Sequence, residues 1–197
     1  MFFPSLRIVW LGLVLMLCLS FYPLRVEAAP NPEQLGKAVA EIEALDQMRS
    51  SLASGLAGQT EPPNPETFKQ VCRPVGMRAQ QLSQENGWQV QQLASKYRNP
   101  AHEAKDFQAL MGLAQFEQNP DLTGFWQEQM LAGQTGTRYF RRINVEPSCL
   151  ACHGAKGVRP AFIQNKYPQD LAYDFQPGDL RGLYSVFIPY LAPSNPE

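Results

Sequence analysis

Residues 149–153 read Cys-Leu-Ala-Cys-His, and their types and spacing point to one chemistry ahead of the rest. Two thiols separated by two residues can form thioethers to the two vinyl groups of one haem. A histidine directly after the second thiol is then held under the iron as its proximal ligand. The other uses of a Cys-x-x-Cys pair fit less well. A thioredoxin-type dithiol belongs in a βαβ context, which is missing around residue 149. A zinc site needs four ligands, and no second Cys pair or His pair supplies them. A Cys149–Cys152 disulfide is the plain alternative for an exported chain. One motif means one covalently bound haem c, with His153 as metal ligand.

Iron in a haem has a sixth position. The chain has four cysteines and two histidines. Cys18 falls in the apolar leader and two thiols belong to the motif, so Cys72 is left alone, an unpaired cysteine worth marking in an exported protein. It also shares an apolar helix face, where free cysteine often serves as a small hydrophobe. His102 sits in a polar Pro-Ala-His-Glu-Ala loop and reads as solvated, while Met77, Met111 and Met130 read mostly as core. Spacing alone leaves the sixth position open between Cys72 and the others. Arg138, Arg141 and Arg142 are candidates to pair with haem carboxylates, a solvated strand face being the alternative.

The elements that must position these residues follow from periodicity. Apolar residues at Val39, Ile42, Leu45, Met48, Leu52 and Leu56 predict an amphipathic helix over 37–56, ended by the proline-rich GQTEPPNP. A second helix over 66–82 carries Phe68, Val71, Cys72, Val75, Ala79 and Leu82 on one face, with a kink expected at Pro74 and Gly76. Trp88 to Leu93 alternates as a strand, 105–118 reads as helix, and Phe125 to Ala132 reads as a further short helix ended by Gly133. Thr137 to Val145 is the clearest strand, 154–178 is irregular, and Leu180 to Tyr190 is a strand again. Helices first and strands later predict an α+β domain with an antiparallel sheet.

The first residues read as an address. Arg7 precedes an uncharged apolar run, Ile8 to Leu24, and Val26-Glu27-Ala28 supplies a cleavage site, so 1–28 is a signal peptide. The run is short for a membrane span and contains Pro23. The rest divides into an N-terminal helix and linker at 29–65, a haem domain at 66–192 and a frayed tail at 193–197. With 17 basic against 18 acidic residues and a formal net charge of −1, the 197-residue chain is no match for a nucleic-acid backbone. The expected location is a bacterial periplasm or a thylakoid lumen, with no membrane span after cleavage.

Four stretches carry a resemblance: VCRPV around Cys72, GWQVQQLASKYRNPA at 87–101, RYFRRINVEPSCLACHG at 138–154 and YPQDLAYDFQPGDLRGLYSVFIP at 167–189. In order and spacing the chain resembles a family of exported single-haem c-type proteins with a PAS-like fold, found in cyanobacteria and as sensory ectodomains of bacterial kinases and chemoreceptors. The resemblance implies a PAS-like antiparallel sheet and iron held between His153 and Cys72. The chain departs from the family pattern at His102, where asparagine is expected.

The functional expectation is a low-potential haem protein in redox sensing or one-electron transfer, acting on a separate protein partner. Displacement of Cys72 by a small gas such as NO or CO is the alternative. A haem peroxidase is disfavoured, because no distal acid–base pair stands out beyond His102, and the chain reads as a non-enzyme.

Overall fold

Two helices with the same start signal open the computed structural model, which describes residues 30–59 and 61–190. The expected signal peptide at 1–28, with Cys18, and the expected frayed tail at 193–197 lie outside the described residues. Helix α1, Pro32–Ser54, starts where the Asn31 side chain accepts from the Glu33 and Gln34 backbone N–H groups. Helix α2, Pro65–Asn86, starts on a reciprocal capping box between Asn64 and Thr67. In each, proline occupies the first turn, where its missing N–H costs nothing. Helix α2 ends on Gly87 at φ 68°, a left-handed cap that glycine adopts without strain. It runs through Pro74 as one element, although the Gln70 carbonyl there has no N–H to accept from.

The sheet has strand order β1-β4-β3-β2 with every pair antiparallel. Its strands are β1 Gln89–Leu93, β2 Gly124–Leu131, β3 Gln134–Asn144 and β4 Leu180–Pro189. Helices α1 and α2 cover one face, burying Ile42, Leu45 and Leu82 against Trp88, Tyr139, Tyr184 and Val186. Helix α3, Phe107–Gln118, covers the other, with Phe116 and Leu113 against Phe140 and Leu183. Apolar burial on both faces is what stabilises a sheet of this kind. The fold is α+β, with the PAS-like antiparallel sheet and leading helices that the sequence implies.

The short helix expected over Phe125 to Ala132 is instead strand β2. Its burial alternates along the strand, and it pairs with β3 from Gly124↔Arg141 to Leu131↔Gln134. Ala132 at φ 50° and Gly133 at φ 81° form the two-residue hairpin turn. Two consecutive positive φ values match the twist of the flanking strands, so Gly133 turns a hairpin and ends no helix.

Between β3 and β4 the chain winds through short turns: Pro147–Cys149, α4 Leu150–His153, Lys156–Val158 and α5 Ala161–Lys166. A small core of Val145, Ala172 and Phe175 lies beneath Cys149 and Leu150 and fixes this segment to the sheet. The β3–β4 register shifts between Ile143 and Asn144, which pair with Gly182 and Leu180 and leave Arg181 without a partner in β3. Gly182 beside it has φ 154°, and a Cβ there would stand 2.5 Å from the Leu93 carbonyl oxygen. Gly182→Ala should therefore cost about 2 kcal/mol, read as a lowered urea midpoint; an unchanged midpoint would contradict the packing of β1 on β4.

No helix among the described residues is long and apolar enough to cross a membrane.

Candidate functional site

A cavity of about 360 Å³ lies where α1, α2, the end of β1 and the 148–153 turn meet. Cys72 reaches it from α2, Cys149, Cys152 and His153 from the motif, His102 from the loop after β1, and Arg181 from β4. Cys72 and the motif residues Cys149, Cys152 and His153, far apart in sequence, thus line one cavity. All three cysteines stand as free thiols, so the Cys149–Cys152 disulfide is not formed here.

The state of His153 follows from its partners. Its Nδ1 lies 2.8 Å from the Ala172 carbonyl, which can only accept, so Nδ1 carries the proton and donates. Arg98 Nη2, 3.2 Å from the same nitrogen, is also a donor and gives its hydrogen to the Cys152 carbonyl at 2.6 Å. Burial, with Arg181 and Arg98 nearby, holds the imidazole pKa well below its ordinary range. The ring is neutral, and Nε2 keeps a free lone pair, the form that binds a metal. The Phe175 ring stands edge-on to it at 6.1 Å.

Asp170 holds the loop that supplies this carbonyl. Its carboxylate is fully buried, accepts from the Ala172 N–H at 2.9 Å, and pairs with Arg159 at 2.7 Å and Arg98 at 3.5 Å. The Leu171 N–H donates to the Tyr97 carbonyl at 2.8 Å, tying the same loop to the segment that follows β1. Asp170→Asn would leave two buried guanidinium groups without their counter-charge, a loss of about 3 kcal/mol. Chemical denaturation measures it, and a variant as stable as the parent would contradict this role.

The motif is braced from α1. Arg49 pairs with Glu146 at 2.8 Å, Ser50 Oγ donates to the same carboxylate at 2.7 Å, and the Glu146 N–H donates to Cys149 Sγ at 3.4 Å. Burial pushes the Cys152 thiol up to about 11 against the opposing pull of Arg98. Cys72 is exposed where it lines the cavity, with part of its thiol environment supplied by the surrounding protein. Desolvation by the packed protein around it raises its thiol pKa, with Arg98 opposing. Burial and Arg181 lower the His102 pKa, so this imidazole is neutral as well. His102 is exposed, as the loop composition suggests, and it also lines the cavity.

The three arginines expected to face carboxylates of a haem do not reach the cavity. Arg138 pairs with Asp106 at 2.7 Å and donates to Ser185 Oγ. Arg141 pairs with Glu43 and Asp46 on α1. Arg142 donates to the Phe116 carbonyl and to Asn144. The cavity has Arg49, Arg98 and Arg181 instead. Arg181 donates to the Lys96 carbonyl at 3.0 Å and makes no ion pair among the described residues. Burial and the charge of Arg98 bring its pKa down to about 10. The sequence signal for it is slight: an arginine before a glycine at the start of a strand.

The α+β fold, the CxxCH turn and the facing lone cysteine define a class of cavity-bearing domains. The Tll0287-like family model matches residues 27–189, most of the chain. A crystal structure of the cyanobacterial heme-protein Tll0287 is similar at 55% identity, covering 82% of this chain and 98% of that one with a TM-score of 0.74. This chain belongs to the Tll0287-like family. No curated protein matches it.

Proposed function

We propose that the chain is a non-enzymatic c-type haem protein that senses or carries single electrons outside the cytoplasm. The observation that carries this reading is the convergence of Cys149, Cys152, His153 and Cys72 on one cavity. Family membership, and a 55% identical structure of a heme-protein, support it. A bound haem c would supply a one-electron iron couple. Cys149 and Cys152 would hold it through thioethers, His153 would offer Nε2, and Cys72 would offer sulfur from α2. Arg181 fits an anionic occupant, because an enclosed guanidinium without counter-charge is costly and a carboxylate of the macrocycle would relieve it. Cys72 bound as thiolate places a negative charge in a low-dielectric cavity, which disfavours a further electron and lowers the potential.

A specific observation favours Cys72 as a releasable ligand. Pro74 leaves α2 one hydrogen bond short, and a Cβ built at Gly76 would meet nothing within 4 Å. The backbone one turn from Cys72 thus lacks one helical hydrogen bond, and release of its sulfur would admit NO or CO. Potentiometric titration with and without NO tests both readings. A single one-electron wave that moves in NO supports sensing, a wave indifferent to NO leaves electron carriage, and no reversible wave contradicts both.

A further inference from the structure

Lys96, Lys156 and Lys166 hold their ammonium groups over aromatic rings instead of carboxylates. Lys96 Nζ is 4.2 Å from the Phe175 ring centre and also donates to the Tyr173 carbonyl. Lys156 Nζ is 5.0 Å from the Tyr173 ring and Lys166 Nζ 5.0 Å from the Phe68 ring. None of the three makes an ion pair among the described residues, where lysine pairs only at Lys69 and Lys105. A ring face attracts a cation without neutralising it, so these charges stay available.

Two of their three rings, Phe68 and Phe175, stand at the site. Phe68 and Tyr167 line the cavity, and Phe175 stands against His153. Arg98 and Arg159 are paired with Asp170. The three lysines and Arg181, which make no ion pair among the described residues, stand against Asp174 and Asp179, so the unpaired charge on this side is positive on balance. On the same side Val158 is 76% and Leu171 40% exposed. Apolar side chains rimmed by mainly positive charge are the makings of a steered, short-lived protein contact.

We propose that this face is the docking surface of an acidic one-electron partner protein, an inference that rests on the electron-exchanging reading above. The lysines steer the partner, and the apolar pair seats it over the cavity mouth. One electron passes at contact, with no bond made or broken and no proton moved between the proteins.

The test measures binding of a fluorescein-labelled octaglutamate peptide to the mature protein at low salt by anisotropy. Binding needs no redox step, so its outcome is separate from that of the haem reading. Lys156→Glu with Lys166→Glu should weaken binding about tenfold, while Lys37→Glu on α1 leaves it nearly unchanged. In the same variants, reoxidation of the reduced protein by hexacyanoferrate(III) should slow by a similar factor, and reoxidation by hexaammineruthenium(III) should not. Equal losses at Lys37, or no loss at either place, would overturn the proposal. So would tighter binding to phosphatidylserine vesicles through the same lysines, which would make the face a membrane-contact surface.

Discussion

Cys72→Ser is expected to remove the low-spin thiolate character of the ferric optical and EPR spectra, whereas His102→Ala leaves both nearly untouched. Cys72 is the one cavity thiol outside the CxxCH motif. Replacing an anionic sulfur ligand with a neutral hydroxyl removes a charge that disfavours the reduced state. The reduction equilibrium should shift by roughly a hundredfold, about 120 mV at ~59 mV per factor of ten. His102 is a neutral imidazole on the same cavity, so the comparison is a fair one. Its backbone is anchored, the His102 carbonyl accepting from the Ala94 N–H at 2.9 Å and its N–H donating to the Asn99 carbonyl at 2.8 Å. If His102→Ala changes the spectra and Cys72→Ser does not, the axial pair is His153 and His102.

The second large effect is on pH. Reduction should become easier as pH falls, with the midpoint rising by about 59 mV per pH unit in the neutral range. Held by ferric iron as proposed, the Cys72 sulfur would carry no proton. Released on reduction it would become a thiol, whose pKa desolvation raises above the usual 9.0. One proton therefore accompanies each electron from neutral pH up to that raised value, and the slope flattens above it. The same release should let CO bind readily to the reduced protein and poorly to the oxidised one. Spectroelectrochemistry across pH measures the slope, and Cys72→Ser should lose it. A flat profile, with a reduced form that ignores CO, would remove the releasable-ligand reading.

The parts of the site that are legible in the sequence are those whose chemistry is local. Cys149, Cys152 and His153 lie within five residues, so their relation needs no fold to be seen. Helices α1 and α2 show in apolar spacing, because each buries a single face. Cys72 is found by counting thiols, yet only the fold brings α2 against the motif. Strand β2 is misread because Phe125, Gln127 and Gln129 point one way and Trp126, Glu128 and Met130 the other, and Gly133 fits a helix end as well as a hairpin. Arg181 is illegible for a different reason. It sits at a register shift, and a shift depends on two strands that meet only after folding. Arg138, Arg141 and Arg142 attract attention by nearness in sequence, whereas Arg138 and Arg141 find their carboxylate partners Asp106, Glu43 and Asp46 on α1 and at the start of α3, and Arg142 donates to the Phe116 carbonyl and Asn144. Asp170 escapes notice because a buried carboxylate looks like any surface aspartate until its two arginines are seen around it.

The central claim is that one haem is bound covalently through Cys149 and Cys152. Intact-mass spectrometry of the denatured protein tests it most directly, after expression with its own leader in a host with working cytochrome c maturation. The account predicts the mature chain plus one haem, with colour that stays on the band in a denaturing gel under a haem peroxidase stain. The mass of the bare chain and a colourless band would contradict it.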